Sequence, residues 1–167
     1  MTAPTGVVTF EAICAHLGVR EERRVVLGTG CFDIMHVGHL YFLAQASRQG
    51  DILVVGVNSD RSVRAIKGPS RPIVGEWERA SLVAALRCVD YVFVYDDNVA
   101  DSQIRTLCPD VYVASAESVA RYPSEPAAAL DVGARVHLID RESEHSTTSV
   151  VDLVQRRSWA EKRQAER

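Results

Sequence analysis

The sequence predicts an α/β protein, a single domain built on a doubly wound parallel sheet. Three observations point there. Apolar runs of strand length recur along the chain, they are rich in Val and Ile and mostly continuous, and helix-period segments lie between them. Continuous apolar strands are those buried on both faces. Strand alternating with helix implies parallel neighbours joined by right-handed crossovers. At 167 residues, with 47% hydrophobic and 25% charged side chains, the chain is long enough for one substantial core.

Taken in order, residues 1–24 form an N-terminal extension with a short amphipathic helix around Phe10 to Leu17, expected on the sheet edge. The domain proper spans 25–157, and 158–167 is a charged tail. Strands are expected at Val25–Leu27, Ile52–Val57, Tyr91–Tyr95, Val111–Ala114 and Val136–Ile139. A helix follows the first strand through Leu40, Leu43 and Ala44, with Gly50 as its stop. A second helical segment, Glu76 to Arg87, spaces Ala80, Val83, Ala84 and Leu86 on one face. A shorter one runs from Val99 to Leu107 before Pro109. The stretch from Ala116 to Ala134 carries Pro123, Pro126 and an alanine run, and reads as a loop plus a weak helix.

Composition narrows the function. A net charge of −3 argues against bulk nucleic-acid binding and for a small ligand held by local groups. No apolar run approaches the roughly 18 residues of a membrane span, and Met1-Thr2-Ala3-Pro4 lacks the charged and apolar regions of a signal peptide. Cys14, Cys31, Cys88 and Cys108 are scattered, with no C-x-x-C pair. Reduced thiols and a cytoplasmic location are the expectation.

The richest stretch is Gly30-Cys31-Phe32-Asp33-Ile34-Met35-His36-Val37-Gly38-His39, placed where the first strand gives way to a helix. The first N–H groups of a helix have no internal partner and carry partial positive charge, which favours phosphate. His36 and His39, three apart, share a helix face, and Gly38 lets a phosphate approach the backbone. The alternatives are structural histidines, or a metal site using Cys31, His36 and His39. That spacing matches no common zinc pattern and lacks an evident fourth ligand, so no metal site is expected. Gly28-Thr29-Gly30 fails the dinucleotide G-x-G-x-x-G pattern because Asp33 occupies the third glycine's place, and no G-K-[ST] occurs. Hydride transfer on a nicotinamide cofactor is therefore disfavoured.

Two further clusters stand at strand ends. Asn58-Ser59-Asp60-Arg61 closes the second strand and is followed by Lys67-Gly68-Pro69-Ser70-Arg71-Pro72. There Lys67 is read either as a loop lysine that swings towards a polyphosphate or as part of a solvated basic loop. After the last strand comes Arg141-Glu142-Ser143-Glu144-His145-Ser146-Thr147-Thr148. Ser146 suits the N-cap of a helix bearing Val150, Val151, Leu153 and Val154. Read functionally, the same residues form a second phosphate-binding helix start, with Arg141 alongside.

The first run resembles the G-x-F-D-x-x-H-x-G-H signature of the cytidylyltransferase-like nucleotidyltransferases. The N-S-D and K-G-x-x-R-P segments look like those of the heptose-phosphate adenylyltransferase branch. The third cluster is similar to its R-x-x-G-x-S-T-T block at Arg141, Ser146, Thr147 and Thr148, with Glu144 standing where the branch has glycine. Pro109-Asp110-Val111-Tyr112-Val113 also matches, but Ala114-Ser115-Ala116-Glu117-Ser118 replaces a lysine- and glycine-rich segment. The resemblance covers about residues 25–155.

What the resemblance implies is a Rossmann-like fold and transfer of a nucleoside monophosphate, AMP favoured, to a small phosphorylated acceptor such as a sugar phosphate, with release of pyrophosphate. Mg²⁺ would arrive with ATP or CTP. His36, His39 and Lys67 are the implied catalytic groups. Nucleotide and phosphate binding is assigned to Gly30, Cys31, Phe32, Asp33, Gly38, Asn58, Arg79, Arg141, Ser146, Thr147 and Thr148. Asp33 is read as a brace of the motif turn rather than a metal ligand. For Arg79 a surface salt bridge is the alternative. Homodimers are common in that family. A cytidylyltransferase acting on a polyol phosphate or phosphonate stays open, as does a non-catalytic nucleotide-binding module, favoured by Glu144 and the altered Ala114–Ser118 segment.

Overall fold

A computed structural model describes residues 6–18 and 22–140. Five strands, β1 (Val25–Gly30), β2 (Ile52–Asn58), β3 (Tyr91–Tyr95), β4 (Val111–Ala114) and β5 (Arg135–Leu138), form one sheet in the order β3-β2-β1-β4-β5. All neighbours pair in parallel. The helices are α1 (Phe10–Leu17), α2 (Val37–Ser47), α3 (Asp60–Lys67), α4 (Glu76–Ala84), α5 (Asp101–Leu107), α6 (Ala116–Arg121) and α7 (Ser124–Asp131). This is the Rossmann-like doubly wound sheet that the alternation of apolar runs and helical segments implies.

Alternate strand residues go to opposite faces, and the two cores follow from this. Val25, Leu27 and Val54 pack with Ile13, Leu17, Ile104 and Ala128 on the side covered by α1, α5 and α7. Val26, Val55 and Val57 pack with Leu43, Ala80 and Val83 on the side covered by α2 and α4. Every residue of β2 is buried, as a continuous apolar run should be. The N-terminal segment lies against edge strand β3: Val7 bridges Val92, and α1 places Phe10 on the ring of Phe93, with centroids 4.7 Å apart.

Several sequence expectations shift. The strand expected at Val136–Ile139 runs from Arg135 to Leu138 at the sheet's other edge, and both its end residues are exposed rather than buried. The motif helix stops at Ser47, before Gly50. The helix expected to reach Arg87 ends at Ala84. The stretch read as a loop and weak helix holds two helices, α6 and α7. Lys67 is not on a loop: it ends α3, and Gly68, the C-cap, has φ 94°, a conformation that only glycine adopts without strain. The expectations for the tail lie outside the described residues.

The strand order reverses between β1 and β4. In an open parallel sheet, ligands bind beyond the carboxyl ends of the strands at such a switch point.

Candidate active site

A cleft of about 580 Å³ opens at that place, within the range of small-molecule sites. Thr29 and Gly30 from the end of β1, Asn58 from β2 and Tyr95 from β3 reach it, along with residues after β4 and β5. Gly30 is there for close approach: a Cβ at this position would stand 3.1 Å from the Phe32 ring.

His36 and His39 both line the cleft, one at the N-cap of α2 and the other on its first turn. They cap the helix reciprocally. The Gly38 N–H donates to Nδ1 of His36 at 3.1 Å, and the His36 N–H donates to Nδ1 of His39 at 3.4 Å. The rings stack with centroids 3.9 Å apart, and Phe32 sits 5.4 Å from His39. Both histidines thus have a structural role as helix caps while their rings line the cleft. Because Nδ1 accepts in each ring, the neutral imidazole carries its proton on Nε2, which makes Nε2 a donor in both. Two such donors beside a helix N-terminus suit an anionic ligand.

The loop between β1 and α2 is bent sharply. Phe32 and Ile34 take left-handed conformations, both with φ 50°, each at a cost on the order of 1–2 kcal/mol for a residue with a side chain. Asp33, between them, holds the bend. Its carboxylate pairs with Arg71 at 2.9 Å and accepts the Ile73 and Val74 N–H groups at 3.0 and 3.1 Å. Burial pushes its pKa up, but Arg71 and the two backbone donors outweigh this and hold it below 3.8. Asp33 is buried and outside the cleft lining. Of the two roles expected for it, the structure shows the brace of the motif turn and no direct exposure to the cleft.

Arg79 requires a larger correction. Neither a phosphate contact nor a surface salt bridge describes it, because it is 0% exposed and outside the cleft lining. Its Nε donates to the Val74 carbonyl and its terminal nitrogens to the carbonyls of Cys31 and Asn58 and to the Asp60 carboxylate. One planar guanidinium thus fastens the carboxyl ends of β1 and β2 to the start of α4. Five donors in a fixed fork make this possible.

Other predicted residues fall on the cleft. Gly30, Cys31, Phe32 and Gly38 line it beside the histidines, and Asn58 and Lys67 join from β2 and α3. Asn58 is buried, donating Nδ2 to Ser62 Oγ at 3.0 Å. The Cys31 thiol, 3.7 Å from Asn58 Oδ1, is pushed up by burial, and nearby Lys67 and Arg79 only partly offset this, so it stays protonated at neutral pH. Arg141, Ser146, Thr147 and Thr148 lie outside the described residues. Among the described residues, no group of three or more His, Cys, Asp or Glu side chains is placed to hold a metal ion. No helix there is long and apolar enough to cross a membrane.

Sequence reasoning missed the wall contributed by α6 and α7. Arg121, Tyr122 and Glu125 line the cleft from that side, within the stretch whose prolines and alanines concealed two helices. Arg71 stood inside a quoted motif, yet its ion pair with Asp33 spans 38 residues and has no local signal.

Comparison with known proteins agrees with this geometry. Bifunctional protein HldE of Syntrophotalea carbinolica is 44% identical over 139 residues, which are 81% of this chain and 28% of that protein. HldE of Helicobacter pylori strain J99 is 39% identical over 137 residues, 82% of this chain and 29% of its own. The chain thus spans less than a third of the length of these curated relatives. Among solved structures, the lipopolysaccharide core biosynthesis protein of Thermoplasma volcanium superposes with a TM-score of 0.60 at 25% identity, over 74% of this chain and 99% of that one. Pantoate–β-alanine ligase of Francisella tularensis shares the fold, with a TM-score of 0.56 at 8% identity over 83% of this chain and 67% of its own. The cytidylyltransferase-like family model matches residues 27–160. The chain belongs to the cytidylyltransferase-like family.

Proposed function

We propose that this chain transfers a nucleoside monophosphate, AMP from ATP, to a small phosphorylated acceptor of the sugar phosphate class. An oxygen of the acceptor's phosphate attacks the α-phosphorus, one P–O bond forms, the bond to the β-phosphate breaks, and pyrophosphate leaves. The nucleophile is already anionic, so no general base is needed. Catalysis then rests on in-line positioning and on stabilising charge that develops on the phosphate oxygens. The observation that carries this reading is the pair His36 and His39, which cap α2 reciprocally through Nδ1 and both line the switch-point cleft. They hold the α-phosphate and the bridge to the departing pyrophosphate. Lys67 neutralises charge across the phosphates. Arg141 and the Ser146–Thr148 hydroxyls are assigned to the β/γ end. The triphosphate enters as its Mg²⁺ complex, the ion belonging to the substrate. The four free thiols fit a cytoplasmic setting.

The test is pyrophosphate release with Mg²⁺, crossing ATP and CTP against sugar phosphates, polyol phosphates and phosphonates. Release from ATP with a sugar phosphate is expected. Release only from CTP would move the assignment to a cytidylyltransferase. Nucleotide binding without release across the whole panel would favour a binding module. The decisive variant is His39→Asn, because the Asn Oδ1 keeps the place of Nδ1 in the helix cap and removes Nε2. Turnover should fall on the order of 10²-fold while the melting temperature stays close to wild type.

A further inference from the structure

The cleft that the histidines line is also lined by Thr29 and Glu125, which are joined by a hydrogen-bonded chain that runs into the core. Thr29 Oγ1 stands 3.2 Å from the Tyr112 hydroxyl, Tyr112 donates to Glu125 Oε2 at 2.6 Å, and Glu125 Oε1 accepts the Ala100 N–H at 2.8 Å. Tyr112 is 1% exposed and Glu125 5% exposed, so both are fixed. The Tyr95 hydroxyl belongs to the same cluster, next to Thr29 and Asn58.

The direction of the chain follows from counting protons. A hydroxyl has one proton and two lone pairs, and an ionised carboxylate only accepts. At 2.6 Å the Tyr112–Glu125 contact has the length of a charge-assisted O–H···O⁻ bond. With Tyr112's proton committed to Glu125, its oxygen accepts the proton of Thr29; the neighbouring Tyr95 hydroxyl then donates to Asn58 or to one Thr29 lone pair, and the other lone pair stays open. What Thr29 then offers the cleft is a lone pair, beside a carboxylate. A phosphate oxygen would be repelled there, whereas a hydroxyl would find an acceptor held in place.

We propose that Thr29 is a specificity-determining residue that accepts a hydrogen bond from a substrate hydroxyl, with Tyr112 and Glu125 positioning it. The hydroxyl belongs to the ribose of the nucleotide or to the sugar of the acceptor. This rests on the nucleotidyl-transfer reading above and deepens it, since it gives the cleft one point that selects a polyhydroxylated ligand.

Glu125→Gln tests the direction without emptying the site. The carboxamide oxygen keeps the Ala100 N–H, its NH₂ donates to Tyr112, and the Tyr112 proton turns to Thr29. Thr29 then offers a donor instead of an acceptor. Thr29→Val removes Oγ1 at nearly constant volume and covers the case in which the glutamine variant fails to fold. Calorimetry would measure binding of ATP, 2′-deoxy-ATP and 3′-deoxy-ATP, and of mannose 1-phosphate with its monodeoxy analogues. In the wild type one deletion should weaken binding about ten-fold, and the same deletion should cost less than about two-fold in both variants. A nucleotide or a sugar phosphate in that role identifies the source of the hydroxyl. The proposal falls if no parent and deoxy pair differs by more than about two-fold in the wild type, or if the penalty persists in Thr29→Val. Ribose discrimination by a wild type that releases no pyrophosphate with any acceptor would retain this point and remove the transfer reading. If neither ATP nor a sugar phosphate binds, both are removed.

Discussion

The two walls of the cleft each contain a buried carboxylate, and the protein treats them in opposite ways. On the β1–α2 wall, Asp33 meets the Arg71 guanidinium and two backbone N–H groups and titrates below its ordinary range. On the α6–α7 wall, Glu125 meets two neutral donors, Tyr112 and Ala100. Burial, only partly offset by those donors, pushes its carboxyl above 4.5. Asp33 is fully compensated and lies outside the cleft, whereas Glu125 lines it. The first arrangement suits a scaffold whose geometry must not change from ligand to ligand. The second keeps electrostatic capacity for a ligand to use, which is what a discriminating wall requires. On the proposed reading, the chemistry of nucleotidyl transfer and the selection of its substrates fall to different sides of one cavity.

The comparison breaks most sharply at Arg79. Replacing it with Met would leave the Val74, Cys31 and Asn58 carbonyls without their donor and Asp60 without its cation. Unfolding in urea should show a loss of about 3–5 kcal/mol, the range for breaking a buried ionic network. Arg79→Lys should recover little, because an ammonium cannot span the carbonyls as the planar fork does. If Glu125→Ala proved as destabilising as Arg79→Met, the scaffold would extend across both walls and the contrast would be lost.

The two walls also differ in how legible they are. Val- and Ile-rich runs announce β1 to β4 because a strand buried on both faces has no polar alternation to conceal it. The strand-to-helix switch announces His36 and His39, since glycine, histidine and an apolar run are local signals. Asp33 and Arg79 are visible as residues but not in their roles. Asp33 bonds to Arg71 across 38 residues and Arg79 to Cys31 across 48, and contacts at that separation leave no periodicity in the chain. The far wall was hidden by a different mechanism. Pro126 lies in the first turn of α7, where the N–H groups have no intrahelical acceptor, so a residue that usually ends a helix does not interrupt this one. Pro123 takes the N-cap position just before it. With both prolines in it, the stretch that holds Glu125 reads only as a loop plus a weak helix, and nothing in the sequence turns Glu125 towards Tyr112.

A smaller effect sharpens the contrast at Asp33. Asparagine there keeps one acceptor for the Ile73 and Val74 N–H groups and loses the charge that faces Arg71. A cost of about 1–3 kcal/mol at neutral pH is expected, the range for a hydrogen bond to a charged group. Left-handed Phe32 and Ile34 should then relax, so binding of ATP should weaken together with stability. Unchanged affinity for ATP in Asp33→Asn would mean that the bend is held by other contacts and that Asp33 is not its brace.

The smallest effect, and the most direct comparison, is the pH dependence of stability. Asp33 titrates lower in the folded chain than its ordinary 3.8. Between the two values the unfolded state holds more protons, so this group adds stability as pH rises and loses it as pH falls through the folded value. Glu125 titrates above its ordinary 4.5. There the folded state holds more protons, so its contribution is present below 4.5 and declines as pH rises through the folded value. The two terms have opposite slopes in adjacent ranges, and the wild type should pass through a local maximum between them. Urea midpoints collected from about pH 3 to about pH 7 should show the acid limb flattened in Asp33→Asn alone and the upper limb flattened in Glu125→Gln alone. An upper limb that is the same in wild type and Glu125→Gln would mean that Glu125 folds at no electrostatic cost. The far wall would then hold no carboxylate in reserve for a ligand.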